Sequence, residues 1–133
     1  MQWDSALSCG VEEIDNEHKE LFRIVGELQK VANTEKAIEK SNMALDFLGD
    51  YVVKHFAHEE ALMCACTYPN MEEHKKLHAK FVQTFLDLKK KFEESNEPLS
   101  VSTQINYAAM SWLINHIKVI DMRFIEYYIK HTQ

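Results

Sequence analysis

From Ile14 onward the apolar residues recur at steps of three and four. Ile14, Leu21, Phe22, Val25 and Leu28 share one face, and His18 falls among them. That recurrence marks an amphipathic helix rather than a strand. The pattern fades near Asn33 and Thr34. Thr34 has the chemistry of a helix cap and opens a second helix. Its face carries Ala37, Ile38, Leu45, Leu48, Val52, His55, Glu59 and Leu62. Gly49 lies within it, at a cost of about 1 kcal/mol against alanine, too little to stop so long a helix. Thr67 to Asn70 is a turn, because Pro69 cannot continue a helix without losing a hydrogen bond. A third helix runs from Met71 to Glu94, with His74, Leu77, His78, Phe81, Phe85, Leu88 and Phe92 on one side. After a break at Ser95 to Pro98, a fourth runs from about Leu99 to Ile129. Ile105, Ala109, Trp112, Leu113, His116, Ile120 and Phe124 form its inner face. Residues 1–13 have no helical period and contain Gly10, so they read as an extended arm.

Four amphipathic helices with short connections predict an all-α fold. The expected arrangement is an up-down-up-down antiparallel four-helix bundle behind an extended N-terminal arm. The 133 residues fit a single domain spanning 1–133. Three glycines and two prolines are too few for the many turns of a β-sandwich or barrel. The net charge of −6 leaves no basic stripe for phosphates, which argues against a nucleic-acid partner. The longest stretch without a charged residue, Pro98 to Ile117, includes Ser100, Thr103, Gln104, Asn106 and Asn115. It is too polar to insert into a membrane. Cys9, Cys64 and Cys66 are odd in number and form no disulfide framework, and no secretory signal is visible. A cytoplasmic location is expected.

Histidine changes this picture. Each helix carries at least one inside its apolar stripe: His18, then His55, then His74 and His78, then His116. A lone inward histidine is ordinarily a core residue bonded to a neighbour. Five on four facing stripes, with Glu59 among them, are harder to satisfy. Each imidazole needs partners at both ring nitrogens, and no Lys or Arg lies on the inner faces to pair with the carboxylate. Metal coordination serves all of them together. With Asp121 the donors number seven, too many for one tetrahedral zinc. Nitrogen and oxygen donors without thiolate suit iron. Two irons sharing two carboxylates and an oxo or hydroxo bridge take three ligands each from the shared groups. Five histidines then divide as three and two, leaving one open position.

One spacing departs from a straight helix. His116 and Asp121 are five residues apart, about 140° around an α-helix. A π-type widening near Ile117–Ile120 brings both onto one face. Otherwise Asp121 reaches in from the flank. Other polar residues read more plainly. His58 is expected to be solvated on the outer side of its turn, the alternative being a role behind the metal ligands, and His131 is expected to be exposed. Asp15 could accept from a ligand imidazole but reads more readily as a first-turn or capping carboxylate. Glu60 is either a surface residue or an acceptor for a ligand imidazole. Cys64 and Cys66 point about 200° apart on a helix and read as small apolar filler, the alternative being a redox-sensitive thiol near the helix end.

The ordered set of residues resembles the hemerythrin family, in particular its single-domain prokaryotic members, the bacteriohemerythrins. The resemblance begins at Trp3 and runs through Gly10-Val11, Ile14-Asp15, His18 and Leu21-Phe22. It continues through the run from His55 to Glu60, Leu62-Met63 and Tyr68-Pro69. His74, His78, the run from Trp112 to Ile117 and Asp121 complete it. It implies a non-haem di-iron centre with O2 as a reversible ligand. By the family pattern His74, His78 and His116 hold one iron, His18 and His55 the other, and Glu59 and Asp121 bridge them. Leu21, Phe22, Phe56, Trp112, Leu113 and Ile117 flank or closely follow the ligand positions; singly each reads equally as plain bundle core, and as a group they would form a dry ligand pocket. The implied role is oxygen storage, delivery or buffering without turnover of a substrate. O2, redox or nitric oxide sensing or handling, and a di-iron oxidase or peroxidase, are the alternatives. The sequence leaves a delivery partner and a homo-oligomer open.

Overall fold

The computed structural model describes residues 3–31 and 36–132. Its helices are α1 (Glu12–Val31), α2 (Ala37–Ala65), α3 (Met71–Glu94), α4 (Pro98–Asn115) and α5 (Met122–Thr132). Between α4 and α5 runs a π-helical segment, His116–Asp121, so residues 98–132 form one continuous rod. The widening expected from the His116–Asp121 spacing is therefore present. The four rods pack in a ring, with α1 and α3 each lying against both α2 and α4. This is the up-down-up-down bundle that the periodicity predicts.

Helix ends differ from the sequence reading in small ways. The arm is not wholly extended: Ser5–Leu7 form a 3₁₀ turn, capped by Asp4, which accepts the Ala6 N–H at 2.8 Å. Helix α1 opens two residues before Ile14. Asp15 tethers the arm to it, accepting from Ser8 Oγ at 2.6 Å and from the Cys9 N–H at 2.9 Å. Those bonds hold its carboxyl below the usual range, although its burial works the other way. The arm turns at Gly10, whose φ of +87° excludes most side chains. Thr34, the expected cap of the second helix, lies outside the described residues. Pro98 occupies the first turn of α4, where its missing N–H costs nothing. Ile38 and Leu77, assigned to inner faces, are exposed.

Two apolar clusters fill the bundle. The larger gathers Leu21, Phe22, Leu48, Phe81, Phe85 and Ile105 among others. The smaller joins Cys9, Ile14, Met63, Cys66, Tyr68 and Phe124. Gly49 has a packing reason to be glycine. A Cβ there stands 2.8 Å from Phe85 Cε1, closer than carbon atoms approach. Gly49→Ala gains about 1 kcal/mol in helix propensity but meets an overpacking cost of about 1–3 kcal/mol. Net destabilisation is expected in denaturant unfolding, where propensity alone predicts the opposite.

Candidate metal centre

The polar residues form a layer between the two apolar clusters. His74 packs edge-on against Tyr68 and Phe124 of the smaller cluster. On the other side, Phe56 stacks on His78 with ring centres 3.8 Å apart, and Trp112 on His116 at 4.1 Å. All seven expected ligands are buried: His18, His55, Glu59, His74, His78, His116 and Asp121. The bundle brings them together in two sets. One is Glu59, His74, His78, His116 and Asp121. The other is His18, His55, Glu59 and Asp121. Within each set the donor atoms all lie within 4.8 Å of one another.

In the larger set the Nε2 atoms face one another. His116 Nε2 is 3.1 Å from His74 Nε2, 3.2 Å from His78 Nε2 and 2.9 Å from Asp121 Oδ1. Hydrogen bonds cannot explain this. A neutral imidazole nitrogen has either one proton or one lone pair and cannot serve three such neighbours at once. A cation at their common focus serves all three. Donors about 2.1 Å from one ion stand about 3.0 Å apart at right angles and about 3.4 Å apart in a tetrahedron. The observed edges lie closer to the octahedral value, which suits iron over structural zinc.

The smaller set is linked through the carboxylates. Asp121 Oδ2 lies 3.1 Å from His18 Nε2, while its Oδ1 faces the larger set. Glu59 Oε1 is 3.2 Å from His78 Nε2 and 3.7 Å from His55 Nε2. Among the described residues, neither Glu59 oxygen nor Asp121 Oδ1 has a hydrogen-bond partner of sound geometry. Buried carboxylate atoms in that condition are costly unless a cation meets them.

The ring nitrogens facing outward orient two of the ligands. His55 Nδ1 donates to Glu17 Oε1 at 2.6 Å, and His78 Nδ1 donates to Glu60 Oε2 at 2.9 Å. A proton on Nδ1 leaves the Nε2 lone pair free for a metal. Glu60 is thus an acceptor for an imidazole rather than a surface residue. Asp15 binds the arm instead. Sequence reasoning missed Glu17, and it misplaced His58. Glu17 lies at the edge of the apolar stripe of α1, three residues after Ile14 and four before Leu21, and a carboxylate at that spacing beside His18 is the signal that could have found it. His58 is only partly exposed and donates from Nδ1 to Glu17 Oε2 at 2.7 Å. Cys64 is exposed and so is not core filler, whereas Cys66 is buried. His131 is exposed, as expected. Of the expected pocket residues, Leu21, Phe22, Phe56, Leu113 and Ile117 are buried and Trp112 is partly buried.

The electrostatics set a pH window for the metal-free chain. Burial pushes His55 and His116 below their ordinary value, and His78 down to about 2. Burial, then the neighbouring Asp121, pushes Glu59 well above its own. The Asp121 carboxyl, though buried, is held well below the usual range by His116, His18 and His74. Below the ordinary histidine value of 6.5 the unfolded imidazoles take protons that the folded ones refuse, so stability falls with falling pH. Above 4.5 the unfolded glutamate releases a proton that folded Glu59 keeps, so stability falls with rising pH. Three histidines outweigh one glutamate up to slightly above pH 6.5, and the glutamate prevails beyond that. Melting temperature of the metal-free protein should therefore peak near pH 6.5. A profile that rises steadily to pH 8 would contradict this assignment.

Comparison with known proteins agrees with this geometry. The chain is 34% identical over 122 residues to a hemerythrin-like protein from Naegleria gruberi, covering 92% of this chain and 88% of that one. It is 31% identical over 123 residues to a myohemerythrin from Theromyzon tessulatum, covering 92% and 89%. A solved wild-type hemerythrin structure superposes with a TM-score of 0.83 at 32% identity, over 96% of this chain and 97% of that one. The family model described as the hemerythrin HHE cation binding domain matches residues 9–128, and the chain belongs to the hemerythrin family.

Proposed function

We propose that this chain binds O2 reversibly at a non-haem di-iron centre, as an oxygen-binding protein for storage, delivery or buffering and not as an enzyme. Residues 1–133 act as one domain. His74, His78 and His116 would hold one iron, and His18 and His55 would hold the other. Glu59 and Asp121, which belong to both donor sets, would be shared between the two. The observation that carries this reading is Asp121. Its two oxygens face different histidine sets, Oδ1 toward His74 and His116 and Oδ2 toward His18.

The iron pair, when bound, supplies the redox-active centre at which O2 is held and released. The protein's own residues do the rest. Glu60 and Glu17 fix the rings of His78 and His55, so that their Nε2 atoms point inward. The unequal histidine count leaves the His18–His55 side with one protein ligand fewer, which makes it the side for O2. Leu21, Phe22, Phe56, Trp112, Leu113 and Ile117 exclude water and free protons, and a dry surround slows irreversible oxidation. Among the described residues no helix is long and apolar enough to cross a membrane. A cytoplasmic location is the finer reading, supported by Cys9, Cys64 and Cys66 as free thiols.

The test is a metal count with absorption spectra on protein reduced, exposed to air and then returned to argon. Two irons per chain and a visible band that comes with O2 and leaves under argon are expected. Stoichiometric zinc, or a spectrum indifferent to O2, would overturn the reading.

A further inference from the structure

Glu17 is bound to two imidazoles at once. Its Oε1 accepts from His55 Nδ1 at 2.6 Å and its Oε2 from His58 Nδ1 at 2.7 Å. His55 is buried and carries one of the donor atoms of the smaller set. His58 is about one-third exposed, and its Nε2 lies 3.8 Å from the exposed Glu13 carboxylate. His55 and His58 both project from α2, while Glu17 comes from α1. The arrangement is one-sided within the smaller set. His18 Nδ1 has no hydrogen-bond partner among the described residues, so only His55 is backed by a carboxylate.

We propose that Glu17 and His58 are a pair of positioning residues that set the electron-donating strength of His55, acting in opposite directions. The inference rests on the di-iron reading above. A carboxylate accepting the Nδ1 proton gives the imidazole more negative character, which strengthens it as a ligand and favours the higher oxidation state of the metal. The Glu17 charge is delocalised over both oxygens. A second donor at Oε2 draws on the charge that Oε1 offers to His55. Removing Glu17 therefore weakens His55 as a donor, whereas removing His58 strengthens it. A merely structural role for the cluster predicts that both losses push the centre the same way. The His58 side chain is the tuning element because it can be lost without emptying the first bond: Oε1 still meets His55 when Oε2 turns to water.

The experiment measures iron content, midpoint potential and metal-free melting temperature for the wild-type chain, Glu17→Gln, His58→Phe and His58→Gln. The expected result is an upward shift of potential in Glu17→Gln and a downward shift in His58→Phe. His58→Gln, whose amide can donate to the same oxygen, should return toward the wild-type value. If Glu17→Gln fails to retain both irons, the downward shift in His58→Phe and its reversal in His58→Gln decide the matter. Shifts of the same sign in both variants, or no shift in His58→Phe with iron content unchanged, would overturn the proposal while leaving the di-iron centre in place. A wild-type chain without an iron pair would overturn the centre and this inference together.

Discussion

Glu59→Gln is expected to abolish retention of the iron pair while making the metal-free chain more stable above neutral pH. Glu59 belongs to both donor sets, so its loss as an anion removes a ligand from each half at once. It is also fully enclosed, and burial with Asp121 alongside makes its ionised form unfavourable. Holding a proton that the unfolded chain has released costs about 1.4 kcal/mol for each pH unit above the unfolded value, up to the folded one. Glutamine has no proton to hold and keeps nearly the same volume. Its amide can donate to Asp121, whose Oδ1 is otherwise unmatched. The variant's unfolding free energy should therefore lose the decline above neutral pH that is expected of the wild-type apoprotein. Denaturant unfolding at two pH values, paired with an iron assay, checks both halves of the claim. Iron retained at two per chain, or a stability equal to wild type at pH 8, would contradict it. Residues kept at a cost to stability are a mark of a functional site.

The second large effect is expected at Phe56. Its ring stacks on His78, lies 6.1 Å from Phe81 and 5.4 Å from Trp112, and faces His116 at 6.2 Å. A surface groove of about 420 Å³ between α2 and α3 reaches down to Phe56 and His78. Phe56 and His78 line that groove together, so the Phe56 ring covers part of the path from solvent to the centre. Phe56→Ala should cost about 3–5 kcal/mol through lost burial and the cavity left behind. That is a large share of the stability of about 5–15 kcal/mol typical of a domain. Under conditions where the variant still folds, water reaching the iron pair should speed irreversible oxidation in air. Phe56→Leu, which keeps an apolar plug, should restore much of both properties. A stability loss below 1 kcal/mol, or an unchanged oxidation rate, would show that the ring does not seal the site.

Much of the architecture is legible in the chain itself, because helix periodicity and inward histidines are both local patterns. The spacing of His116 and Asp121 even locates the widened segment. The outer polar network is not legible in this way. Glu17 reaches His55 and His58 across 38 and 41 residues of chain, and although its spacing between Ile14 and Leu21 turns it toward the bundle, only the fold shows which rings it meets. His58 illustrates the same limit. Its angular position on α2 suggests solvent, but α1 lies close enough to give it a partner. The role of Gly49 is likewise tertiary, since a helix pattern cannot reveal that Phe85 of α3 presses against the backbone there. Glu60 lies between the extremes: its place beside Glu59 marks it as near the site, but only the fold shows which ring it meets.

The widened stretch His116–Asp121 has a consequence for insertions and deletions in this rod. In an i→i+5 helix the fifth residue lies nearly over the first, as the fourth does in an α-helix. The segment thus holds one residue more than an α-helix needs to present the same two side chains, and it absorbs the surplus locally. Helix α5 keeps its phase, with Phe124 and Ile125 still turned into the core. Deleting the exposed Val119 should let the rod close into an unbroken α-helix with His116 and Asp121 still on one face. Deleting a residue from the α-helical part of α4, such as exposed Gln104, has no surplus to draw on. It should turn His116 and Asp121 about 100° away from the bundle interior and empty the centre of one carboxylate and one imidazole together.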